Sequence, residues 1–135
     1  MNDILSICSL LFSLVSLIIS IISMRQTQLI SYGQLETDLR LLLSDAKKQL
    51  VEYIQNNKEE IELRTLNLHK ENLLNAYEEL CAKYIDKKVD RRRFKKMYFS
   101  EIKNIVEDVS FKDLVGLPGK YEAVKKVYNK WFIFD

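Results

Sequence analysis

The chain has 135 residues, with 21 Lys and Arg against 19 Asp and Glu, three Gly, one Pro and two Cys. That length suits one compact body, and so little Gly and Pro excludes a turn-rich sandwich or barrel. Hydrophobic residues at 47% and charged residues at 30% exclude a disordered chain. The two classes are segregated: the stretch from Ile4 to Met24 carries no charge, and after Arg25 nearly every turn does.

A helix over Ile4–Met24 would be roughly 32 Å long, the thickness of a hydrocarbon core. A cleaved signal peptide would show a basic start, an apolar core of about 7–15 residues and a small-residue cleavage site. Here the start is Met-Asn-Asp, the apolar run is longer, and it closes on Ile-Ser-Met-Arg. The sequence therefore predicts a retained transmembrane helix within residues 1–32 and a helical domain over residues 33–135. No Lys or Arg precedes the span, whereas Arg25, Arg40 and a Lys-rich body follow it, so the positive-inside rule places the body in the cytoplasm.

The hydroxyls within the span are ordered. Ser6, Ser9, Ser13, Ser16, Ser20 and Ser23 follow a 3-4-3-4-3 spacing that Thr27 continues, which is a heptad seam on one helix face. A lone serine bonds its own i−4 carbonyl and sits anywhere in a lipid-facing helix, but that does not explain why no serine of the span lies off the seam. A helix–helix contact does, because small side chains let backbones approach. In a ring of helices the same stripe would face a water-filled lumen.

The body reads as all-α. Leu35, Leu39, Leu42, Leu43, Ala46, Leu50 and Ile54 form one apolar stripe, with Gly33 a bend before it and Asn56-Asn57 a weak break after it. Ile61, Leu66, Leu73, Leu74, Tyr77, Leu80, Cys81 and Tyr84 form a second, so residues 34–86 make one long helix or two packed together. Asp90 can cap a third helix bearing Phe94, Met97, Tyr98, Ile102, Ile105 and Val109. Residues 114–119 hold the only Pro and two of the three Gly and read as a loop. Tyr121, Val124, Val127, Tyr128 and Trp131 form a final short helix. Tyr84, Phe94, Tyr98, Phe99, Tyr121, Tyr128 and Trp131 are the expected aromatic core. Cys8 and Cys81 show no redox or zinc spacing and fit a reducing compartment.

Two features could carry chemistry. Arg64 and His69, the only histidine, have Arg-x4-His spacing. In metal-independent RNA cleavage an imidazole takes a proton from a ribose hydroxyl while an arginine holds the scissile phosphate. The alternative is a surface or interface histidine beside a solvated arginine. The second feature is Lys87, Lys88, Arg91, Arg92, Arg93, Lys95 and Lys96, seven cations in ten residues. Such a run attracts the phosphates of RNA or of anionic lipid. It also reads as a solvated face balanced by Glu71, Glu78, Glu79 and Asp86. There is no Gly-rich phosphate loop, Ser-His-acid set or carboxylate metal cluster, so no metal or cofactor is expected.

A single amino-terminal span, a small helical body and an Arg-x4-His motif together resemble the small accessory membrane protein of type VI-B CRISPR loci. The stretch from Ile4 to Ser23 is similar to its span, and Arg64 to His69 to its HEPN-like motif. The resemblance implies a HEPN-like helical fold and a ring-shaped homo-oligomeric pore in the bacterial inner membrane. The pore would strengthen antiphage defence by depolarising that membrane once a partner RNA-guided RNase is active. In that family the motif is divergent, which implies that Arg64 and His69 are needed without RNA cleavage being the output. Thr65 stands where HEPN nucleases carry Asn, Asp or His, which also points away from catalysis. Two other functions fit the residues. One is a membrane-tethered, metal-independent RNase with Arg64 and His69 in a dimeric site. The other is a membrane-anchored adaptor whose basic run docks RNA or a protein.

Overall fold

The computed structural model describes residues 2–57 and 61–134, the side chains of residues 2–6 and 8 excepted. Among these residues it has five α-helices and no strand: α1 (Asn2–Asn56), α2 (Leu63–Ile85), α3 (Arg91–Glu107), α4 (Val109–Val115) and α5 (Glu122–Phe132). Contacts divide the chain into two units, Met1–Gln34 and Leu35–Asp135.

The first unit is helical, and through its charge-free stretch apolar side chains cover every face but the one that carries the hydroxyls. From Leu10 to Ile22 every Leu, Ile, Val and Phe is exposed, Phe12 at 75%. A helix apolar over most of its circumference needs an apolar solvent or apolar neighbours. This stretch of α1, near the amino terminus, is long and apolar enough to cross a membrane. Gly33, expected to mark a bend between two helices, lies within α1, which runs on to Asn56. One glycine in an exposed helix costs only about 1 kcal/mol relative to Ala and dictates no turn.

The second unit is a helical bundle. On α1, Leu39, Leu43, Ala46 and Leu50 are buried at 4-3-4 spacing, the repeat of a helix packed along one face. Leu42 and Ile54 belonged to the same expected stripe but are exposed, because they fall on its edges. The helix ends at Asn56, where the Asn57 side-chain amide donates to the Tyr53 carbonyl at 2.9 Å. Residues 34–86 therefore hold the end of one helix and all of a second.

Helix α2 buries Leu73, Leu74, Ala76, Tyr77, Leu80, Cys81 and Tyr84. It ends in a Schellman turn in which Lys87 sits at φ 57°, with Lys87 N–H donating to Tyr84 O and Lys88 N–H to Lys83 O. Asp90 then caps α3 as expected, accepting from Arg92 N–H and Arg93 N–H at 2.9 and 3.0 Å. Phe94, Tyr98, Ile102 and Ile105 of α3 are buried, whereas Met97 and Val109 are exposed. Val109 leaves the stripe because Asp108 closes α3 and caps a separate α4 through Ser110 N–H at 2.7 Å. Leu114 and Val115 complete α4, so the loop expected at 114–119 begins only at Gly116.

The aromatic core is built around Trp131, whose indole N–H donates to the Tyr84 hydroxyl at 3.1 Å. Tyr84 meets Trp131 edge-on at 5.3 Å, and Phe94 lies 4.9 Å from Tyr84. Tyr98 and Tyr121 are buried as expected. Phe99 and Tyr128 depart from the expected core: Phe99 is exposed and Tyr128 half-buried. Phe99 lies one residue, about 100°, further round α3 than Tyr98, which places it on the flank of the buried stripe, stacked against Trp131 at 5.9 Å.

Candidate functional site

Arg64 and His69 both lie near the start of α2, Arg64 in its first turn. Five residues along an α-helix is a rotation of about 140°, so within one chain the two side chains leave the helix in divergent directions. Arg64 is exposed and lines a shallow depression of about 540 Å³ with Glu62, Thr65, Asn67, Leu68 and Glu71. Thr65 donates its hydroxyl to the Glu62 carboxylate at 2.8 Å, a bond within the helix start. His69 is half-buried, its ring 4.9 Å from that of Tyr53 on α1. Its Nδ1 is buried without a hydrogen-bond partner among the described residues. Tyr53 also donates its hydroxyl to the Glu62 carbonyl and accepts from Glu62 N–H, both at 3.1 Å. The histidine thus packs where α1 is tied to α2, and the arginine faces solvent.

The seven cations divide by partner. Arg91 lies over the Tyr84 ring at 4.8 Å, and Arg93 pairs with Glu36 at 3.5 Å. Lys95 sits over the rings of Phe99 and Trp131 at 5.8 and 5.9 Å. Lys87, Lys88, Arg92 and Lys96 are exposed. The run therefore divides: Arg91, Arg93 and Lys95 meet side chains of α2, α1 and α5, Arg93 while itself exposed, and the other four face solvent.

The hydroxyl seam lies along the first unit. The side chain of Ser6 is outside the described residues, and Ser9, Ser13, Ser16, Ser20, Ser23 and Thr27 are exposed. Ser20 donates to the Ser16 carbonyl and Thr27 to the Ser23 carbonyl, each at 2.9 Å. Those two hydroxyl protons are satisfied within the helix, by bonds to the i−4 carbonyls.

Two polar arrangements escaped sequence reasoning. Glu78 of α2 accepts from Ala123 N–H and Val124 N–H at 2.9 and 3.0 Å, capping α5 from another helix. Tyr121, at the N-cap position of α5, takes φ 55° and offers no side-chain cap, so Glu78 supplies the acceptor that position lacks. The second is a Lys47–Glu101–Tyr77 cluster, in which one Glu101 oxygen accepts from Lys47 Nζ and the Tyr77 hydroxyl, both at 2.9 Å. Burial, with the Glu101 charge beside it, pushes the Tyr77 hydroxyl far above its usual pKa. Burial likewise raises the Cys81 thiol, helped by Glu78, and makes it a poor nucleophile. No pattern signal marks these contacts, because each joins residues 24 to 54 positions apart.

Compared with protein-family models, curated proteins and solved structures, the chain gives no match.

Proposed function

We propose that the chain assembles as a cyclic homo-oligomer whose amino-terminal helices form a membrane pore, with residues 35–135 as its cytoplasmic, HEPN-like part. One observation carries this reading: a first unit whose apolar side chains are exposed on every face but one, where the hydroxyls keep a seam. One helix cannot enclose a channel, so a pore of such chains is a closed ring with heterologous contacts. The seam either packs against the neighbouring helix or lines the lumen. Arg25 and Arg40 after the span support a cytoplasmic body.

By resemblance, the pore acts as an effector of type VI-B CRISPR antiphage defence, depolarising the bacterial inner membrane beside an RNA-guided RNase. Arg64 and His69 are then interface or structural residues, and His69 against Tyr53 supports that role. The test is Ser13→Leu with Ser16→Leu in the full chain, reconstituted in vesicles. Weakened assembly or reduced ion flux is expected. Undiminished assembly and flux would remove the seam from the mechanism.

A further inference from the structure

Three polar side-chain contacts run along the junction of α1 and α3, and the middle one is unlike the others. Glu36 pairs with Arg93 at 3.5 Å, and Lys47 pairs with Glu101 at 2.9 Å. Between them Arg40 Nη2 donates to Met97 Sδ at 3.0 Å. Arg93, Met97 and Glu101 follow one another at i, i+4 spacing, on one flank of α3. The outer contacts each put a carboxylate opposite a cation. The middle one gives the guanidinium only a thioether, a weak acceptor.

Met97 is open to reagents. It belongs by period to the apolar stripe of α3, yet it is 37% exposed. It is also the one methionine of the second unit, since Met1 and Met24 belong to the first. The Arg40 guanidinium lies beside the Tyr98 hydroxyl as well, where it offsets part of the rise in pKa that burial causes. Two neighbouring residues of α3 thus hold the cation in place.

We propose that Met97 is a site of reversible oxidation by peroxides, and that its sulfoxide locks α3 to α1 through Arg40. The sulfur attacks one peroxide oxygen: the S–O bond forms, the O–O bond breaks, and the proton of the attacked hydroxyl passes to the departing oxygen, which leaves as water. Sulfur loses two electrons and the peroxide gains them. The new oxygen is a strong acceptor, and beside a guanidinium it makes a charge-assisted hydrogen bond. A methionine in an apolar core loses packing when it is oxidised. Here the sulfur already faces a cation, so oxidation turns a weak contact into a strong one. Methionine sulfoxide reductases reverse the step. The inference stands on the α1–α3 contact alone and does not rest on the pore reading.

The full chain in mild detergent is treated with hydrogen peroxide. Peptide masses read the oxygen on Met97, and the fluorescence of Trp131, which is buried, reads thermal unfolding. One added oxygen at Met97 and a midpoint higher by about 4 °C are expected, both undone by methionine sulfoxide reductases. Met97→Leu, which keeps the side-chain volume, should show no rise, and so removes Met1 and Met24 as its source. Arg40→Ala should still take up the oxygen at Met97 and show no rise. A midpoint that stays or falls when Met97 of the parent is oxidised would overturn the lock. A rise that survives Arg40→Ala would overturn the role of the guanidinium. Met97 that takes up no oxygen while free methionine in the same tube is converted would overturn the site itself.

Discussion

Removing the Glu78 carboxylate should unlatch α5. In Glu78→Ala the amides of Ala123 and Val124 lose both acceptors, and the first turn of α5 loses the negative charge that its dipole favours. A hydrogen bond to a charged group contributes about 1.5–3 kcal/mol, and water will replace part of it at this half-buried position. A net loss of about 2–3 kcal/mol follows. In a body of this size that lowers the midpoint of thermal unfolding by about 10 °C. Glu78→Gln keeps one acceptor and should lose about half as much. The measurement is Trp131 fluorescence during heating of the full chain in mild detergent, since the only tryptophan lies in α5. Far-UV ellipticity is a poorer readout, because the apolar part of α1 stays helical in a micelle. Glu78→Ala melting within about 2 °C of the parent, equivalent to roughly 0.5 kcal/mol, would refute the capping role.

Two further predictions concern the same unit. Lys87→Gly should stabilise it by about 1 kcal/mol, because glycine relieves the left-handed conformation that closes α2; a lower melting temperature would show that the Lys87 side chain contributes something that outweighs this strain. The raised Tyr77 hydroxyl pKa makes stability pH-dependent on the alkaline side. Unfolded Tyr77 ionises near its ordinary value of 10.0, whereas the folded form holds its proton beyond that. The contribution is therefore complete below pH 10 and is lost as pH rises above it. Tyr77→Phe should flatten that decline in a denaturation series above pH 10, and an unchanged slope would assign it to other tyrosines.

Helices were legible where one periodic stripe decides the structure. The charge-free run to Met24, the cap at Asp90 and the break at Asn56 are each stated by local residue types, and α1, α3 and the α1–α2 junction follow them. What escaped was set by tertiary partners. Gly33 looked like punctuation, but nothing around it forces the chain to turn. Val109 kept the period of α3, yet Asp108 starts a new helix one residue earlier. Glu78 read as a surface acid upstream of the basic run, because only the fold brings the start of α5 to it. The basic run read as one feature and divides in two, since Arg91, Arg93 and Lys95 meet rings or a carboxylate from other helices. Arg64 and His69 were legible as a spacing, but how copies of the chain would bring them together is not a property of one helix.

The mass of the detergent-solubilised particle, taken by native mass spectrometry with detergent stripped in the gas phase, bears most directly on a pore. A closed ring of about six to ten 16.0 kDa chains is the expected result. A dimer would contradict the pore and turn attention to a composite Arg64–His69 site and an RNA cleavage assay. A monomer would contradict both and leave a membrane-tethered adaptor.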